Sequence, residues 1–72
     1  MFKNLRHALN SKGITMKSYA EFLDVTEKTL QNKMNGVTDF SFPEVEKTLR
    51  ILFPEYNLSY LFARDGEHQS VS

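Results

Sequence analysis

Residues 15–36, TMKSYAEFLDVTEKTLQNKMNG, read as two short helices joined by a sharp turn. In the second helix Thr26 is a good N-cap, Val25 before it can staple onto Leu30, and Gly36 stands where a left-handed residue closes a helix. Leu30 and Met34 make a narrow apolar stripe, while Glu27, Lys28, Gln31, Asn32 and Asn35 recur at helical spacing on the opposite side. One face is anchored and the other is open to a partner. The first helix repeats this grammar. Thr15 caps it, Ile14 can staple onto Tyr19, and Met16, Tyr19, Ala20 and Leu23 follow the i, i+3, i+4, i+7 pattern. Asp24 is then the turn residue, because Asp tolerates positive φ better than most side chains.

On the N-terminal side, Phe2 to Lys12 place Phe2, Leu5, Ala8 and Leu9 on one face and end at Gly13, with Ile14 positioned to touch Leu9. Lys3 and Arg6 fall off that face, as phosphate contacts or as solvated charges, and His7 sits at its boundary. On the C-terminal side, Ser41-Phe42-Pro43-Glu44 is a capping box that opens a fourth helix. Val45, Leu49 and Leu52, with Phe42, Thr48 and Ile51 beside them, give it a broad apolar face up to Phe53-Pro54. Glu44, Glu46, Lys47 and Arg50 form its expected exposed side, with Glu46 and Arg50 paired at i, i+4. Asn57 caps a last turn, Leu58 to Ala63, whose Leu58, Leu61 and Phe62 would close the core with Tyr60 half exposed. The expectation is an all-α bundle of five short helices, with a helix-turn-helix domain over residues 1–63 and a flexible polar tail over 64–72.

Tyr19-Ala20, Leu23-Asp24-Val25-Thr26, Thr29-Leu30 and Asn35-Gly36, in this joint spacing, resemble the helix-turn-helix of the phage repressor and Cro family, including its small prophage-borne members. With the flanking helices the resemblance covers about two thirds of the chain. Two positions depart from the family pattern: Asp24 stands at the turn position that is usually Gly, and Met16 at a position often held by a phosphate-binding Gln. The resemblance implies a small phage-type transcriptional regulator, a repressor of this kind, that binds double-stranded DNA.

Charge is the counterweight to that reading, since the 72 residues carry 9 basic and 9 acidic side chains and a formal net charge of zero. Non-specific affinity for DNA comes mainly from Lys and Arg on phosphates. The charges are polarised, however, with Lys3, Arg6, Lys12, Lys17, Lys28 and Lys33 all in the first half and most of the acids in the second. The chain has no Cys, which excludes a disulfide scaffold and a thiolate metal site and fits a cytoplasmic protein. MFKNLRHALN is broken by charges and does not make a signal peptide, and no run approaches the roughly 20 residues needed to span a bilayer. Enzyme chemistry finds no footing: His7 and His68 are isolated, no Ser lies in a Gly-rich elbow, and Glu44/Glu46 and Asp65/Glu67 are two apart, a spacing that points them in different directions on a helix. No cofactor or metal is expected.

The function expected is therefore sequence-specific binding of double-stranded DNA, with the helix after Thr26 in the major groove. Lys28 suits guanine, Gln31 or Asn32 suits adenine, and Glu27 reads a base only if it accepts from a cytosine amino group. Thr26, through its backbone amide, and Lys17, Lys33 and Asn35 are the expected phosphate contacts. With no heptad to make a strong dimer, a monomer or weak homodimer that pairs on DNA is expected. The alternative from another class is a protein-interaction module, an antirepressor or regulatory adaptor, that keeps the fold without DNA binding.

Overall fold

Four of the five helices begin on a side-chain acceptor that the sequence supplies. They are α1 (Lys3–Ser11), α2 (Met16–Leu23), α3 (Glu27–Met34), α4 (Phe42–Lys47), which continues unbroken as a π-helical segment (Thr48–Leu52), and α5 (Leu58–Leu61). The structure, a computed structural model, describes residues 1–64; the stretch from Asp65 on, with His68 and all but the first residue of the expected tail, lies outside the described residues. Thr15 accepts from the Ser18 amide at 3.1 Å, Thr26 from Thr29 at 3.1 Å, Ser41 from Glu44 at 3.4 Å and Asn57 from Tyr60 at 2.8 Å. Glu44 accepts from the Ser41 amide in return at 2.8 Å, completing the capping box.

The first three helices also end alike. Ile14, Val25 and Val37 each donate a backbone N–H to the residue five earlier, at 2.9, 3.0 and 2.9 Å. This is the Schellman closure, and it requires a left-handed residue just before the donor. Gly13, Asp24 and Gly36 fill that place with φ of 70, 62 and 83°. Asp24 thus does the work of the more usual Gly, and the turn between α2 and α3 is as tight as the sequence expects.

α2 packs on α3 and α1 on α5, and the helix-turn-helix formed by α2 and α3 lies in a bundle with no strand among the described residues. Leu5, Ala8, Leu9, Tyr19, Ala20, Leu23, Leu30 and Met34 are buried, joined by Phe53 and Leu61. Phe2, expected inside α1, instead precedes it with a left-handed φ of 59° and is itself buried. Its ring meets Phe40 at 5.3 Å and Phe62 at 6.2 Å, both edge-to-face, and this trio holds the non-glycine strain in place.

The fourth helix corrects the sequence reading. Its buried residue is Thr48; Val45, Leu49 and Leu52 are half-buried, while Phe42 and Ile51 are 71% and 55% exposed. The reason is the switch to i→i+5 bonding, in which the Phe53 N–H reaches the Thr48 carbonyl at 3.0 Å. That closure puts Phe53 one turn beyond Thr48 on the buried side, where α spacing would put Leu52. The expected Glu46–Arg50 pair is not among the ion pairs of the described residues. Nor are Glu44 and Lys47 on an exposed side. Glu44 is half-buried, and the Lys47 ammonium donates to the Phe22 carbonyl at 2.6 Å while lying 4.5 Å from the Phe22 ring centre. Leu58, expected in the core, is 47% exposed. Arg64, assigned to the tail, pairs with Asp39 at 2.6 Å and lies 5.8 Å from the Phe2 ring centre.

Thr48 also ties α4 to α2. Its hydroxyl donates to the Glu44 carbonyl at 2.8 Å, so the Tyr19 hydroxyl is the donor in their mutual 2.8 Å bond. Burial pushes the Tyr19 phenol up from 10.0 to about 12. A raised folded pKa means a contribution that is intact below the unfolded value and lost as pH climbs through the folded one. Stability should therefore fall between pH 10.0 and about 12, by on the order of 2 kcal/mol. Urea midpoints across that range should show the fall in the wild type and a shallower one in Tyr19→Phe; equal slopes in the two would remove Tyr19 as its source.

Candidate nucleic-acid interface

The polar row of α3 is set by what lies behind it. Leu30 and Met34 are fully buried, which fixes the roll of the helix and turns Glu27, Lys28 and Gln31 to solvent. Asn32 is half-buried beside them, and Asn35 is exposed at the C-terminal end. Thr26 is exposed at the N-terminus, with its hydroxyl held by the Thr29 amide and hydroxyl, the latter at 2.9 Å. The start of α3 thus presents oriented backbone donors in the frame of α2, and Lys17 is exposed in the first turn of α2. Neither Lys17 nor Lys28 enters an ion pair among the described residues.

Other cations have intramolecular work. The Lys33 ammonium bonds the Asp39 carbonyl at 3.0 Å and pairs with Glu44 at 3.1 Å, with the two side chains only 12% and 16% exposed. Burial pushes the Glu44 carboxyl up, but the Ser41 amide and the Lys33 ammonium outweigh it and hold the group below its ordinary value of 4.5. Lys33 is therefore a brace between the end of α3 and the start of α4. Lys12 braces the far side, donating to the Leu52 carbonyl at 2.6 Å and pairing with Glu55 at 3.0 Å. It satisfies one of the carbonyls that the end of a helix leaves open.

Asn35 is bridged to α1, where Arg6 donates to its side-chain oxygen at 3.2 Å. The two residues are 29 apart in sequence, so no local signal pairs them. Together they put a cation and an amide at the C-terminal end of the α3 face, where the sequence alone suggests Asn35 by itself. The basic character around α3 is consequently narrower than the composition of the first half implies: Lys17, Lys28 and Arg6 face outward or sideways, whereas Lys12 and Lys33 are neutralised by acids of the second half.

Among the described residues no group of His, Asp and Glu is arranged to hold a metal ion, and no helix is long and apolar enough to cross a membrane. No family model, curated protein or solved structure matches the chain.

Proposed function

We infer that the chain is a sequence-specific double-stranded DNA-binding protein, a small phage-type transcriptional regulator that lays α3 in the major groove. The observation that carries this reading is the outward row of α3, in which Lys28 and Gln31 are exposed beside Asn32 on a helix whose roll is fixed by fully buried Leu30 and Met34. Side chains with paired donor and acceptor groups on a rigid helix are what base edges require. The resemblance of the turn and its flanks to the phage repressor and Cro family supports the same reading. In this assignment Lys28, Gln31 and Asn32 meet bases, while Lys17, the Thr26 amide and the Arg6–Asn35 pair meet phosphates. Lys33 is omitted from the phosphate set because its ammonium already holds Glu44 and Asp39. Selection from random duplexes at low salt should enrich one consensus; a pool that stays random would reject the reading.

A second reading, a protein-interaction module on the same fold, draws on the zero net charge and on the number of lysines engaged inside the molecule. Glu27 bears on both. Its carboxylate at the first position of α3 is favoured by the helix dipole, by about 0.3 to 1 kcal/mol, which is reason enough for its presence. Facing a polyanion without a cytosine donor, it should weaken binding to every sequence alike. Glu27→Gln is accordingly expected to tighten binding to the selected site and to a scrambled duplex together, in competition titrations at matched salt. Weaker binding to the selected site alone would make Glu27 a base reader, and no change on either duplex would place it away from the DNA.

A further inference from the structure

The outer side of α4 carries apolar surface that the bundle leaves uncovered. A groove of about 420 Å³ opens there, floored by half-buried Val45, Leu49 and Tyr56 and walled by Phe42 and Leu58, which are 71% and 47% exposed. Ile51, 55% exposed, adds to the apolar area of the same segment. Clustered exposure of large apolar side chains on a small monomer marks an interaction surface. Glu46 and Arg50 also line the groove, and neither side chain enters an ion pair among the described residues.

We propose that this groove is the contact surface for a second copy of the chain, packed about a two-fold axis with its α4 antiparallel to that of the first. The charge pattern selects this occupant. A two-fold contact brings the same patch together with itself, so every group must find its complement within that patch. Glu46 and Arg50 satisfy this condition, because antiparallel helices that cross between them set Glu46 of one copy against Arg50 of the other, twice. The apolar residues between these charges then cover one another. An acidic surface would be opposed by Glu46 and a basic one by Arg50, whereas a second copy matches both. The zero net charge of the chain removes long-range repulsion between copies. A patch confined to one short helix and its neighbours belongs with interfaces below about 1,200 Å², so the dimer is weak and concentration-dependent. Lys33, bonded to Asp39 and Glu44, couples the end of α3 to the start of α4, so that two copies joined here also fix the relation of their α3 helices. The dimer itself does not depend on DNA binding.

Sedimentation equilibrium from about 1 μM to about 1 mM spans the range in which such an interface assembles. The wild type should pass from monomer to dimer. Glu46→Arg and Arg50→Glu should each weaken the dimer by about tenfold or more, since each puts like charges opposite one another. An equimolar mixture of the two variants should associate again as a heterodimer, because one then carries two positive charges and the other two negative. Both positions are exposed, and circular dichroism of each variant verifies the fold. Phe42→Ser should weaken the dimer without recovery in any mixture. A wild type that stays monomeric throughout overturns the proposal. So does a dimer indifferent to both charge reversals, which would place the interface elsewhere, and so does a mixture that fails to associate, which would exclude the antiparallel pairing.

Discussion

Replacing Phe53 by alanine is expected to remove about 3 to 5 kcal/mol of stability, the usual cost of deleting a buried aromatic ring. A domain of this size holds little more than that in total, so the variant should be largely unfolded at room temperature. The expectation follows from the place of Phe53 in the structure and not from its type alone. It is fully buried, its N–H closes the π turn on the Thr48 carbonyl at 3.0 Å, and its carbonyl accepts from Tyr56 at 3.1 Å. Its ring lies 5.8 Å from that of Tyr56 and 5.0 Å from the Lys12 ammonium, which is itself bonded to the Leu52 carbonyl. Loss of the ring therefore removes the packing that draws the end of the α4 segment inward. Ile51→Ala, two residues earlier and exposed, is the control and should change stability by no more than about 0.5 kcal/mol. Urea titrations followed by circular dichroism separate the two. A Phe53→Ala midpoint no lower than that of Ile51→Ala would mean that the ring is not part of the core.

Phe53 also shows where sequence reasoning stops. Helix starts and ends are local chemistry, so Thr15, Thr26, Ser41 and Asn57 could be named as caps and Gly13, Asp24 and Gly36 as left-handed closures from their neighbours alone. The buried faces of α1, α2 and α3 follow from helical spacing for the same reason. The α4 segment does not, because α periodicity no longer describes a helix that widens to π geometry at Thr48. Thr48 became a core residue and Phe42 a surface one, which no hydropathy pattern at fixed spacing indicates. The lysine braces escaped notice for a different reason. Lys33 with Glu44, Lys12 with Leu52 and Lys47 with Phe22 join segments whose proximity exists only after folding, whereas the sequence reads Lys33 as a phosphate contact, Lys12 as part of the basic first half and Lys47 as an exposed charge. On α3 the residues were legible as a row. That Arg6 belongs to the same face through Asn35 was not.

The second large effect concerns that row. Gln31 and Asn32 lie beside one another on α3, one exposed and one half-buried, with no intramolecular side-chain hydrogen bond among the described residues to hold either. Each good base contact is worth about 1 to 3 kcal/mol of discrimination, so removing both with Gln31→Ala and Asn32→Ala should cost about 2 to 6 kcal/mol on the selected site. Neighbouring contacts are seldom additive, and each single variant is measured beside the double to expose the coupling. Neither residue carries charge, so affinity for random duplex, set by phosphate contacts, should not follow. Lys17→Ala supplies the opposite pattern. It should weaken binding to every sequence by a similar factor and reduce the salt slope by about 1.

The claim on which the functional account stands is that the outward face of α3 meets base edges. The most direct test is a competition titration of the Gln31→Ala/Asn32→Ala protein against wild type, on the selected duplex and on a scrambled one, at a single salt concentration. The account predicts that the double variant loses its preference for the selected duplex while keeping wild-type affinity for the scrambled one. A double variant that still prefers the selected duplex as strongly as wild type would contradict it and remove α3 from the groove.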